Sequence, residues 1–249
     1  MKGLPGVLVI HGFTATLESV RPLEAPLRAL GYEVAMPVLA GHSASSPESL
    51  RGVRWSAWQR DAESSFLELA SRCDRVFVVG HSMGALLAFD LAATYGDRVA
   101  GVVAATPAFR LVSLLAPGRP FHFLAPIIGR WKKNWGLRAA FTDPEFPCSQ
   151  THYPWAPTDA ILSFFDLISY ASGRLEEVAS PVLIIHNRHE KTVLPESAEY
   201  VYKRISTPVV GKAITWLERS EHQVFCDLEK EVAIAAVTDF LQQQTECAS

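Results

Sequence analysis

The chain has 249 residues, with 23 Lys or Arg against 26 Asp or Glu, so its formal net charge is −3 at pH 7. That balance lacks the basic surplus of a nucleic-acid binder. At 49% apolar and 20% charged, the chain can bury a full core as one large α/β or all-β domain, or two small ones. Cys73, Cys148, Cys226 and Cys247 are too scattered for a zinc site or a disulfide framework, which leads us to expect reduced thiols and a cytoplasmic setting.

In chain order, the run Val7–Ile10 reads as a buried strand, too short for the apolar stretch of a signal peptide. A helix near Leu23–Leu30 leads to a second strand at Glu33–Met36. An amphipathic helix from Trp55 to Ser71 precedes a third strand, Val76–Val79. A small-residue helix, Met83–Tyr95, precedes a fourth, Val99–Ala104. Val182–Ile185 and Ala213–Trp216 are the fifth and sixth strands, and a last helix runs from about Leu228 to Gln243. Continuous Val/Ile runs separated by helices predict a mainly parallel, doubly wound α/β sheet of about six strands or more. No segment reaches the ~20 apolar residues of a membrane helix, so stable membrane insertion is not expected.

Residues 107–175 exceed any ordinary crossover. They hold 12 of the 25 aromatic residues, which argues for a packed insertion rather than a disordered linker. The expected division is therefore a core of residues 1–106 and 176–249 with an insertion at 107–175.

Gly80-His81-Ser82-Met83-Gly84 fits G-x-S-x-G. The pattern alone arises by chance in about one such chain in ten. Here, however, it joins a strand to a helix, the setting that a nucleophile elbow requires. Ser82 Oγ would then project from the carboxyl end of the strand, and the Met83 N–H would open the helix toward a developing oxyanion. A second oxyanion donor should come from the loop after an adjacent strand. His11-Gly12-Phe13-Thr14 provides one, with the Phe13 amide best placed and His11 expected to be structural. Of eight histidines, His222 lies on the loop after the last strand and is the expected base; His42 and His81 are expected to hold loops together. The orienting acid should follow the fifth strand. No Asp occurs between residues 167 and 226, which leaves Glu190 as the candidate, ahead of Glu196 and Glu199 on the next helix. A Glu carboxylate can hold the imidazole tautomer as an Asp does, from one methylene further away.

HGFT, GHSMG, the loop Pro37–Ser43 (PVLAGHS), Trp55 with Trp58, and the late SEH together resemble the bacterial carboxylesterases and monoacylglycerol lipases of the α/β-hydrolase superfamily. The resemblance covers residues 4–106 and 180–242 and is faint across 107–175. It implies the α/β-hydrolase fold, a Ser82–Glu190–His222 triad with Phe13 and Met83 as oxyanion amides, and a cap over an acyl pocket. Glu190 stands where the family usually has Asp. HGFT-A and Gly41-His42-Ser43 depart from its more usual HGFT-G and Gly-His-Gly. The implied reaction is cleavage of short- to medium-chain acyl esters, monoacylglycerols among them, through an acyl-enzyme and without metal or organic cofactor. A thioesterase or acyltransferase on the same triad, or a non-catalytic binder of small ligands, stays open. Within the cap, Phe109, Phe121, Phe123, Trp131 and Phe164, with Trp135, Phe141 and Phe165, are candidates to line the pocket. The expected partner is a small ester and not nucleic acid; the sequence leaves the oligomeric state open.

Overall fold

The computed structural model describes residues 4–42, 46–137, 142 and 152–246. Six parallel strands form one sheet: β1 (Gly6–Ile10), β2 (Glu33–Ala35), β3 (Val76–His81), β4 (Val99–Ala105), β7 (Val182–Asn187) and β8 (Lys212–Leu217). Their order is β2-β1-β3-β4-β7-β8. Each predicted strand is present, with ends shifted by one or two residues. The direction of winding reverses between β1 and β3, and open α/β sheets bind ligands at the carboxyl ends of the strands at such a point.

The strands are apolar on both sides because helices cover both faces. Leu8, Ile10, Val78, Val102 and Ile184 point into one core, shared with α2 (Trp55–Ala70), α3 (Met83–Tyr95) and α6 (Glu196–Arg204). Their neighbours Val7, Val9, Val79, Val103 and Ile185 point into the other, under α1 (Glu24–Ala29) and α7 (Lys230–Glu246). A one-residue slip in any strand would exchange these two sets. The central helix α3 is buried from Met83 to Ala92, so an apolar surface on all its sides suits it.

Between β4 and β7 lie α4 (Ala125–Trp131), an antiparallel pair of β5 (Asn134–Gly136) and β6 (Trp155–Pro157), and α5 (Thr158–Arg174). α5 packs against α3 and α2, completing that helical layer, and α4 rests on α5. The segment is joined to the core above the carboxyl ends of the strands. Tyr153 N–H donates to Thr14 O at 2.8 Å, and Leu111 bridges Val193.

Candidate active site

The turn from β3 into α3 is fixed by two glycines. A Cβ on Gly80 would lie 2.3 Å from the Gly84 carbonyl oxygen, and one on Gly84 would lie 2.2 Å from the Ile10 carbonyl oxygen. Only hydrogens fit there, so helix and strands can approach closely. Ser82 between them has φ 55° and ψ −114°, a conformation unfavourable for any residue with a side chain. Its N–H donates to Ala105 O at 2.8 Å, which holds the strained turn to β4. The strain lifts the Ser82 hydroxyl out over the carboxyl edge of the sheet.

The loop after β1 is held by two buried histidines. His11 Nδ1–H donates to Gly12 O at 2.9 Å, and its Nε2 accepts the Leu39 N–H at 3.2 Å. His42 Nδ1–H donates to Ala40 O at 3.1 Å, and its Nε2 accepts the Thr14 N–H at 3.0 Å. Burial drives both rings toward the neutral form, to a pKa of about 4 for His11 and about 3 for His42. Each then has one donor and one acceptor, as these contacts require. Ala40 is fixed in turn by Asp61 and by the Trp58 indole N–H. With the Thr14 amide engaged, the Phe13 amide and the Met83 amide that opens α3 have no acceptor among the described residues.

Three separated loops converge on Ser82. His222 Nε2 lies 2.9 Å from Ser82 Oγ, and His222 Nδ1 lies 3.0 Å from Glu190 Oε2. Because the carboxylate only accepts, the proton sits on Nδ1 and Nε2 is free to accept from the serine hydroxyl. Glu190 Oε1 accepts the Thr192 N–H at 2.8 Å. Burial pushes the Glu190 carboxyl up. The charge and hydrogen bond of His222, with the Thr192 N–H, outweigh it and hold the group at about 2. His81 Nε2–H donates to His222 O at 2.8 Å, tying the His222 loop to the residue beside Ser82. Burial also keeps the His81 ring neutral, with a pKa of about 3. The same loop is further clamped by Glu229, which accepts the Arg219 and Ser220 amides, and by Asp227, which accepts the Glu221 amide. Glu196 and Glu199 lie on α6, and Glu199 pairs there with Lys203.

Above Ser82 opens a cavity of about 480 Å³. Leu111, Leu115, Ile161, Leu162, Phe164 and Phe165 give it an apolar wall; Thr14, His152, Lys191, Thr192 and Gln223 supply polar groups. Of the cap aromatics expected to line it, Phe164, Phe165 and Trp135 do so. Phe109 does not: it is fully buried in the core between Phe89 and Tyr200. Phe121, Phe123 and Trp131 also lie outside the cavity and face solvent, Trp131 at 85% exposure. Trp131 ends the short helix α4, and Phe121 and Phe123 lie on the turn that precedes it. Phe141 lies outside the described residues. The sequence reading passed over the aliphatic lining and His152. An apolar spacing of three and four residues in α5, Ile161, Phe164, Phe165 and Ile168, was the available signal.

A family model described as serine aminopeptidase, S33, matches residues 5–229. The thermostable monoacylglycerol lipase of Bacillus sp. (strain H-257) is 28% identical over 242 residues, spanning 96% of this chain and 91% of that protein. The carboxylesterase of Bacillus subtilis (strain 168) is 24% identical over 242 residues, spanning 97% and 94%. A solved structure described with LipS and LipT, two metagenome-derived lipolytic enzymes, has a TM-score of 0.87 at 29% identity, covering 97% of this chain and 95% of that one. The family match runs from β1 through the His222 loop and includes every element that converges on Ser82, so the chain belongs to the serine aminopeptidase (S33) family of α/β-hydrolases and is an enzyme of the lipase and esterase kind.

Proposed function

We propose that this enzyme hydrolyses carboxylic esters of short- to medium-chain acyl groups, monoacylglycerols among them, with Ser82 as nucleophile, His222 as base and Glu190 as acid. The observation that carries the reading is the 2.9 Å and 3.0 Å relay from Ser82 through His222 to Glu190 beneath an apolar cavity. The names of the two Bacillus relatives support the same substrate class.

In this reading Ser82 Oγ attacks the ester carbonyl carbon and its proton passes to His222 Nε2. The amides of Phe13 and Met83 donate to the oxyanion; one such donor is typically worth about 3 kcal/mol of barrier. The C–O bond to the alcohol then breaks, and the alcohol leaves with the proton from Nε2. Water gives a proton to Nε2, attacks the acyl-enzyme and releases the acid, and the proton returns to Ser82. Glu190, ionised throughout, balances the imidazolium formed in both halves. We read residues 107–175 as the cap, with Leu111 to Leu137 forming the roof, and 1–106 with 176–249 as the core.

The test is a chain-length series of p-nitrophenyl esters, monoacylglycerols and acyl-CoA thioesters. We expect kcat/KM to peak at a short or medium oxygen ester. A preference for acyl-CoA would instead assign the site to thioesters, and absence of turnover with any of them would refute hydrolysis.

A further inference from the structure

At the end of β7, where the strand is buried on every side, stands an asparagine. Asn187 is fully buried, and its Nδ2 donates twice: to Glu190 Oε2 at 3.3 Å and to the Glu221 carbonyl at 2.9 Å. Both partners are acceptors only, so the amide must present its NH₂ group to them. The other side of the amide meets nothing: Asn187 Oδ1 is buried without a hydrogen-bond partner among the described residues. A buried unpaired oxygen destabilises a fold, and an apolar residue would trade that penalty for an unpaired Glu221 carbonyl. Packing therefore gives no reason for the second N–H, the one directed at Glu190.

Catalysis does, if Glu190 is the acid. A glutamate carries one more rotatable bond than an aspartate, so its carboxylate needs more anchors to hold one orientation. Oε1 is anchored by the Thr192 amide. Oε2 meets the moving partner, His222, and its fixed anchor is Asn187. The second Asn187 hydrogen goes to the carbonyl of Glu221, the residue directly before His222. One planar group thereby sets the distance between the acid loop and the base loop. Resting on the ester-hydrolase reading above, we propose that Asn187 is a positioning residue that enables a glutamate to serve as triad acid, by tethering Glu190 Oε2 and the His222 loop to the rigid end of β7.

The test is a double-mutant cycle on ester turnover, with the p-nitrophenyl ester that wild type turns over best. Asn187→Ala should lower kcat about ten-fold with KM within about two-fold, since the acyl pocket is untouched. Glu190→Asp draws the carboxylate back by a methylene, out of reach of the tether. In that background Asn187→Ala should lower kcat less than about three-fold. The downfield proton resonance of His222 Nδ1–H should also shift on Asn187→Ala in otherwise wild-type protein. Asn187→Leu, with the same branched arrangement of four side-chain heavy atoms and without a donor, replaces Asn187→Ala under the same criteria if the smaller side chain prevents folding. An unchanged kcat, or an equal fall in both backgrounds, overturns the proposal by making Asn187 catalytically idle or merely structural. Wild-type turnover separates the two readings: without it the ester-hydrolase reading fails and takes the inference with it, whereas turnover with indifferent variants sinks the inference alone.

Discussion

The floor of the cavity and its roof are held by different forces. The floor consists of loops after β1, β3, β7 and β8. Its turns are pinned by directional polar contacts, such as His42 on Thr14, His81 on His222 and Glu229 on the Ser220 amide, or by a glycine that admits no Cβ. The roof, from Leu111 to Leu137, turns an apolar lining of Leu111, Val112, Leu115 and Trp135 toward the cavity, is tied to its surroundings at a few backbone bonds such as Val112 N–H to Thr192 O, and leaves Phe123 and Trp131 facing water. Proton transfer requires heavy atoms held within hydrogen-bond reach, and directional bonds supply that precision. Enclosing an acyl chain requires only apolar shape, which tolerates substitution far better. Changes in the floor should therefore abolish chemistry or folding, while changes in the roof should alter selectivity.

The largest expected effect is at the nucleophile. Ser82→Ala should reduce kcat by at least about 10⁴-fold while the protein keeps its circular dichroism spectrum and Tm. Next, Glu190→Gln should reduce kcat by roughly 10³-fold or more with little change in KM, because the amide can hold the ring but cannot balance the imidazolium. A smaller loss, measured by steady-state kinetics, would mean that solvent or another group serves His222. Gly84→Ala acts on the same floor through folding. Its Cβ would meet the Ile10 carbonyl at 2.2 Å, and we expect at least about 3 kcal/mol of destabilisation by urea unfolding.

Acid sensitivity is a further property of the floor. His11, His42 and His81 are buried neutral, with folded pKa values of about 4, 3 and 3 against 6.5 when unfolded. As pH falls below 6.5 the unfolded chain binds protons first. Each histidine should then remove roughly 1 kcal/mol of stability per pH unit until its folded value is reached, and stability should be full above that window. Equal urea midpoints at about pH 7.5 and pH 5 would contradict the buried neutral rings. The smallest effects belong to the roof and to the α5 wall beside it. Phe164→Ala should shift the preferred acyl chain with about a ten-fold change or less in kcat/KM, whereas Trp131→Ala should leave the chain-length profile unchanged. Reversal of that order would place the pocket elsewhere.

The same contrast governs what the sequence made legible. VLVI, VFVV and VLII could only be interior strands, and GHSMG between a strand and a helix specified the elbow. That Glu190 and His222 would meet beside Ser82 followed from their place after the fifth and sixth strands. Local pattern and chain order determine such features. The roof was opaque because aromatic content reveals that a segment packs, not which side of it faces the cavity. Phe109 and Phe164 are alike in composition, yet one fills the core and the other lines the pocket. The β5–β6 pair was missed because each strand has three residues and its partner is distant in the chain. Asn187 was missed because a polar residue ending an apolar run looks like the start of a loop; only its two hydrogen bonds distinguish it.

The central claim is that the Ser82 hydroxyl, activated by His222, is the attacking group. Labelling the folded protein with a fluorophosphonate and mapping the modified peptide tests it most directly. The account predicts a single phosphonyl group on Ser82 and none on the Ser82→Ala variant, which should also have lost ester turnover. Modification at another residue, or turnover by that variant at a rate near wild type, would contradict it.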